Sequence, residues 1–332
     1  MRIQILEKSA KRPRLAEGDI PRPGPGQVLV RTTAVGLHPV DVETADGGNA
    51  MVLPVQRPFI PGVDFVGWVE ALGQGTEGFR AGERVYGYRG IATQGAFAAC
   101  QCVQAGDLAL APEGATDREL ATLPLPALCA LQALDEAGLT RPGRVLVHGG
   151  AGGVGSIAVQ VYARLGHEVT ATASAADAQW VQDLGASRVI DFKSERFDDL
   201  VTGQDLVLDT IGGEVLTRSF RVVAPGGFVC SLRAMPTAAT MRAAGLHVPW
   251  FFGPLLPLMR LRTQRQADAA GAHLVGQVTV PSGARLEKLR LLIGDRPFQV
   301  RIHQALPFDK LGEGLDLIAT GKARGRVIVH LA

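Results

Sequence analysis

The stretch Arg144 to Ser174, RVLVHGGAGGVGSIAVQVYARLGHEVTATAS, constrains the fold most, because it reads as a strand, a glycine loop, a helix and a second strand in unbroken succession. Val145, Leu146 and Val147 form a short apolar run, and Gly150, Gly152 and Gly155 then fall at GxGxxG spacing. Glycines at that spacing permit, in turn, a tight turn, close approach of backbone to a pyrophosphate, and close packing of helix on sheet. Val154, Ile157, Ala158, Val161 and Leu165 recur with the period of a helix laid on a sheet. The start of such a helix presents free amides to an anion. The loop Gly150, Ala151, Gly152, Gly153, Val154 and Gly155 is therefore expected to hold the phosphates of a dinucleotide.

A unit that prefers NAD carries an Asp or Glu about 20 residues past the first glycine, where it takes a ribose hydroxyl. Thr170 to Ser174 contains no acid. Ser174 leaves room for a 2'-phosphate, so NADPH is the expected cofactor. The basic partner for that phosphate is harder to place. Lys193, after the next strand candidate at Arg188 to Asp191, reads as a phosphate partner or as a solvated surface lysine.

The 332 residues suggest two domains, and 46% hydrophobic content suffices for two cores. A formal net charge of +2 predicts no nucleic-acid partner. Cys100, Cys102, Cys129 and Cys230 have no zinc-type spacing and read as reduced thiols, which suits a cytoplasmic protein. Cys100 and Cys102 share one face of a strand candidate and are expected to be buried. The opening MRIQILEKSAKR has no apolar core of a secretory signal.

Residues 1–121 read as β-rich, with strands at Val28 to Val35, Val66 to Leu72 and Phe97 to Val103 between Gly- and Pro-bearing turns. Residues 122–281 alternate helices with strands near Val145, Val169, Val189, Leu206, Phe228 and Leu274. That alternation predicts an α/β fold with a doubly wound parallel sheet. Residues 282–332, with a helix from Arg285 to Ile293 and strands near Val300 and Val327, are expected to return to the first domain.

Several further segments carry a family pattern: HPVD at His38 to Asp41, PFIPGVDFVGWVEALG at Pro58 to Gly73, and GERVYG at Gly82 to Gly87. QGAFA at Gln94, LPLPALCALQAL at Leu123, VLDTIGG at Val207 and ATGKARGRVIV at Ala319 extend it along the chain. With the HGGAGGVG loop, the whole sequence resembles the medium-chain dehydrogenase/reductases, in the zinc-free quinone oxidoreductase branch that includes zeta-crystallin. The resemblance implies a Rossmann domain beside a GroES-like β-rich catalytic domain, a homodimer, and reduction of a small apolar quinone or α,β-unsaturated carbonyl (enone). It also implies cofactor contacts at Thr210, Ile211, Gly212, Ser231, Leu232, Val278 and Arg324, and at Phe192 in place of a family Tyr or His.

Zinc members of this family use Cys, His and Cys, with the His in a Gly-His-Glu motif. Here that motif reads Gly62-Val63-Asp64, the second cysteine falls near Leu125, and His38 stands at the first. One candidate ligand does not hold a catalytic zinc, so no metal is expected. Without a Lewis acid, the acceptor must already be activated for hydride attack. The resemblance places His38, Asp41 and Cys129 at the catalytic position. His38 reads either as a titrating donor or as a helix-start residue before Pro39, with Asp41 capping the turn. Cys129 stands where the family often has Thr and is expected to abut the nicotinamide as a small apolar side chain. A family Tyr between Asp46 and Phe59 is missing, which leaves a non-catalytic NADPH-binding protein as the alternative function.

The segment Leu246 to Leu261, LHVPWFFGPLLPLMRL, is too short and proline-broken to span a bilayer. It reads as a lid over a large apolar substrate, a subunit contact, or a membrane-surface patch backed by Arg260, Arg262 and Arg265. Membrane contact is disfavoured, because Pro249, Pro254 and Pro257 are expected to prevent one continuous amphipathic helix.

Overall fold

The computed structural model describes residues 1–331. The chain divides into two compact units. The first comprises Met1–Leu125, Gly245–His247 and the residues from Val280 to the C-terminus; the second comprises Pro126–Ala244 and Val248–Thr279.

The first unit opens with an antiparallel pair, β1 (Arg2–Ile5) and β2 (Arg14–Glu17). β3 (Gln27–Leu37), β4 (Asp64–Leu72), β5 (Arg84–Tyr88), β6 (Cys100–Gln104) and β7 (Leu108–Leu110) follow. β3 is the hub of a mostly antiparallel sheet, pairing with β4 and β6. Its apolar residues Val28, Val30 and Val35 are fully buried with Phe65, Val85 and Phe97. In β6 the alternation puts Gln101 and Val103 inward and leaves Cys100 and Cys102 half-buried. The cysteine face is thus the outer one, against the sequence expectation, because β6 turns its other face to this core.

The second unit holds β8 (Arg144–Val147), β9 (Glu168–Ala173), β10 (Arg188–Asp191), β11 (Gln204–Asp209), β12 (Val223–Ser231) and β13 (His273–Gly276). All are parallel, in the order β10-β9-β8-β11-β12-β13. Numbered within the unit, this is 3-2-1-4-5-6, the order of dinucleotide-binding sheets. The helix Gly153–Arg164 follows β8. It buries Ile157, Ala158 and Val161 as its apolar period predicts, but also Gln160 and Tyr162. Tyr162 Oη donates to Ala130 O at 3.0 Å, so the helix Pro124–Glu136 also packs against it.

The chain then returns to the first unit. β14 (Ile302–Pro307) runs parallel to β15 (Arg326–His330), and β15 closes antiparallel on β3 through Val327 and Leu37, Ile328 and Gly36. Parallel pairing of β14 and β15 is made possible by the crossover helix Leu311–Ala319, whose Leu311 and Leu315 join the same core.

Candidate functional site

β8, β9, β11 and β12 end at the same edge of the parallel sheet, and the strand order reverses between β8 and β11. Ligands of open α/β sheets bind outside the carboxyl ends of the strands at such a reversal. The glycine loop sits there. Gly150 N donates to Thr172 O (2.8 Å) and Gly149 N to Thr172 Oγ1 (3.1 Å), tying the loop to the end of β9. A Cβ on Gly150 would lie 2.8 Å from Ala171 Cβ, and one on Gly155 would lie 2.1 Å from Gly149 O. Gly152 and Gly153 are exposed at the helix start. The loop is therefore packed tightly on its inner side and open to an anion outside, which fits a pyrophosphate.

The other second-unit positions gather along this edge. Asp209, fully buried at the end of β11, accepts from Ile211 N and Gly212 N, both at 2.9 Å, and from Ser231 Oγ at 2.7 Å. Leu232 N donates to Asp209 O (2.9 Å), and Thr210 Oγ1 to His148 O (2.8 Å). One carboxylate thus shapes the turn Thr210-Ile211-Gly212 and fixes it to the end of β12. Ile211 is left half-exposed above. Asp209 was not among the expected site residues, although VLDTIGG contained it; an acid ending an apolar strand is the signal.

His148 is a second residue that the sequence left unassigned. Burial depresses its imidazole to about 4, and it contacts Ser219 Oγ (3.0 Å) and Thr172 Oγ1 (3.3 Å). It joins β8, β9 and the helix Gly213–Ser219 as a neutral core group.

Ser174 follows β9, and its Oγ donates to Asp177 Oδ2 at 2.8 Å. The acid missing from Thr170–Ser174 therefore arrives three residues later. Phe192 is 60% exposed, and Lys193 is exposed beside Asp191, whose Oδ1 accepts from Lys193 N at 3.2 Å. Cys129 is buried: its Sγ lies 2.9 Å from Thr279 Oγ1, and its carbonyl accepts from Gln277 Nε2 at 2.9 Å. Gln132 Nε2 donates to Val278 O at 3.0 Å, so Cys129 and Val278 share one anchored corner.

The first unit holds His38, Asp41 and Arg324. Arg324 is exposed in the turn before β15. His38, 2% exposed, is the N-cap of the helix Pro39–Ala45, and Asp41 Oδ2 accepts from His38 N at 2.8 Å. His38 Nε2 lies 2.8 Å from Asp64 Oδ2, both side chains buried, though not along a hydrogen-bond direction. Both carboxylate oxygens of Asp64 accept from Leu125 N at 3.0 Å. Of the two roles read for His38, this geometry supports the helix start. Asp41, grouped with the catalytic candidates, is 1% exposed and occupied by the cap. Burial pushes its carboxyl up to about 7, against the pull of His38. Among the described residues, no three His, Cys, Asp or Glu side chains come together as a metal site. Beside the positions that match the family's zinc ligands, Asp64 lies against His38 and accepts from the backbone at Leu125.

In the segment 248–261, Phe252 N and Gly253 N both bond to Pro249 O, and a helix runs unbroken from Leu255 to Ala269. The helix begins only after Pro249 and Pro254, so Leu246 to Leu261 does not form one continuous helix; of the three prolines, Pro257 alone lies inside it. Pro254 is its cap and Pro257 lies in the first turn, where amides have no helical partner to lose. Leu256 is buried, but Trp250 is 88% and Leu258 67% exposed, with Phe251, Leu255 and Met259 also exposed. No helix among the described residues is long and apolar enough to cross a membrane.

Two family models match: an alcohol dehydrogenase GroES-like domain over residues 24–122 and a zinc-binding dehydrogenase over residues 184–329. A 2-methylene-furan-3-one reductase of Solanum lycopersicum is 29% identical over 316 residues, covering 92% of this chain and 71% of its own. The solved quinone oxidoreductase of Coxiella burnetii matches with a TM-score of 0.81 at 25% identity, over 100% of this chain and 99% of that one. An alcohol dehydrogenase superfamily protein of Novosphingobium aromaticivorans gives 0.82 at 28% identity, with both chains covered in full. Two consecutive domain models, the sheet order and the full-length likeness agree: the chain belongs to the medium-chain dehydrogenase/reductase superfamily, and the proteins it is similar to include quinone oxidoreductases.

Proposed function

We propose that this oxidoreductase uses a nicotinamide dinucleotide to reduce an apolar quinone or enone without zinc. The observation that carries the proposal is the glycine loop at the β8–β11 reversal, held open to an anion by β9 on one side and by the Asp209 turn on the other. When bound there, the nicotinamide supplies hydride. The loop and the first amides of the helix Gly153–Arg164 hold the pyrophosphate. Asp209 sets Thr210, Ile211, Gly212, Ser231 and Leu232 along the cofactor's path, while Cys129 and Val278 form a small, dry corner for the ring. Orientation and exclusion of water are the protein's contributions.

The acceptor class follows from the residues at the family's zinc positions. Val63 has no ligand atom, and His38 and Asp64 are turned on each other, so nothing there polarises an isolated carbonyl. A conjugated acceptor needs no such help, because hydride would add to its β-carbon and the charge would spread onto the carbonyl oxygen. The names of the tomato and Coxiella relatives, an enone reductase and a quinone oxidoreductase, support this class. Of the two dinucleotides, the NADPH expected from Ser174 and Lys193 would have to place its 2'-phosphate beside the Asp177 carboxylate.

A turnover panel tests the proposal. Quinones and enones should be reduced, and saturated ketones and aldehydes should not. Zinc-dependent reduction of saturated aldehydes would overturn it, and dinucleotide binding without turnover of any acceptor would favour the non-catalytic alternative.

A further inference from the structure

The first unit carries a cleft of about 420 Å³ whose wall includes Lys8, Ala50, Leu53, Val55, Arg57 and Phe59. Its frame is tied together by the backbone. Leu6 N donates to Phe59 O at 2.8 Å and Phe59 N to Leu6 O at 3.3 Å, which holds the chain leading to Lys8 against Phe59. Arg57 donates to Ala10 O at 2.7 Å, and to Thr44 O at 2.9 Å and Ala45 O at 2.8 Å in the last turn of the helix Pro39–Ala45. All three acceptors are carbonyls, so the guanidinium is held in place while its charge stays uncompensated. A guanidinium has five N–H groups. Three are used here, and Nε is left without a protein partner but open to solvent.

Lys8 is exposed and, among the described residues, has no carboxylate partner either. Acids near the two cations in sequence are taken elsewhere: Glu7 by Arg14 at 2.7 Å and Asp46 by Arg12 at 3.3 Å. No Asp or Glu lines the cleft. Two uncompensated cations beside an apolar wall are the complement of one anionic head on an apolar body, and the volume is that of a small-molecule site. We propose that the cleft binds a small monocarboxylate with a hydrocarbon body, its carboxylate paired by Lys8 and Arg57 and its body laid on Leu53, Val55 and Phe59. A bare anion such as phosphate would leave that apolar surface in water, whereas a hydrocarbon body covers it. Neither the glycine loop nor His38, Cys129 or Val278 lines the cleft, so this ligand is additional to the dinucleotide and the acceptor.

Titration calorimetry of the full-length protein with hexanoate tests the proposal, with hexan-1-ol and inorganic phosphate as the uncharged and the bare-anion comparisons. Hexanoate should bind at one site with a Kd of about 1 mM or tighter, and about ten-fold tighter than either comparison. Lys8→Glu reverses an exposed charge and should weaken hexanoate about ten-fold, while a melting temperature close to that of the wild type shows the variant to be folded. Ala50→Trp, which fills the cleft, should abolish binding; if that variant fails to fold, Lys8→Glu alone decides. No saturable binding of hexanoate, equal affinity for hexan-1-ol or for phosphate, or an affinity unchanged in a folded variant would overturn the assignment.

Discussion

Asp41 shows how a single buried carboxyl leaves a signature that can be measured. Its proton is held to about pH 7, chiefly because burial penalises the anion. The unfolded chain releases it near the ordinary 3.8. Between those values the native state binds the extra proton, so the associated stability is fully present below about pH 3.8 and is lost as pH rises toward 7. Asp41→Asn keeps the cap but cannot ionise. Melting temperatures of the variant and the wild type should therefore diverge as pH rises from about 4 to about 7, in favour of the variant by roughly a few degrees; a difference independent of pH would contradict the account. The local contacts at this scale were legible in the sequence: His38 before Pro39 with Asp41 in the first turn, and Gly150, Gly152 and Gly155 at fixed spacing. The engagement of Asp64 with Leu125, far apart in the chain, was not. Neither was Asp177 on Ser174, because scanning for an acid stops at the strand end and cannot see that the next turn folds back.

Elements were readable where one periodicity decided them. β3, β4 and the strands of the parallel sheet lie where apolar runs between Gly and Pro turns placed them. Periodicity failed where a second neighbour intervened. The helix Gly153–Arg164 reads as having one apolar stripe, yet it also buries Gln160 and Tyr162, and Tyr162 bonds to the helix Pro124–Glu136. In β6 alternation predicts two faces without saying which is inward. The segment 248–261 is the reverse case, because its apolar side chains outnumber the partners available to them within the second unit. Trp250 and Phe251 meet edge to face at 5.9 Å, and Leu258 and Met259 extend the exposed patch along the helix. An apolar surface of this kind is costly in water and marks a binding face. A lid over a bulky acceptor is the reading that substitution tests. Replacing Trp250 and Leu258 by Ser should raise KM for a large quinone or enone about ten-fold while changing that for a small one little. Dissociation of an oligomer with unaltered discrimination would identify the patch as a subunit contact instead.

At the scale of the molecule, the chain leaves its first unit, builds the six-stranded 3-2-1-4-5-6 sheet, and comes back to complete the first sheet with β15 on β3. The alternation of strands and helices after about Leu120 announced the parallel sheet, and the family pattern announced the return. What no local pattern supplied was the assignment of Gly245–His247 to the first unit: His247 N donates to Val52 O at 2.8 Å, a contact between remote parts of the chain. This architecture gives the second unit one open edge for a dinucleotide, and the first unit a His38–Asp64 pair where a metal-dependent relative needs ligands. The proposed reaction is direct hydride transfer to a conjugated carbon with no metal taking part. The measurement that reaches it most directly is isotope tracing in chelator-treated protein: reduced dinucleotide carrying deuterium on the transferring face of nicotinamide C4, a cyclic enone as acceptor, and mass spectrometry of the product. The account predicts one deuterium at the β-carbon and undiminished turnover after chelation; a product without deuterium, or activity that returns only when zinc is added back, would contradict it.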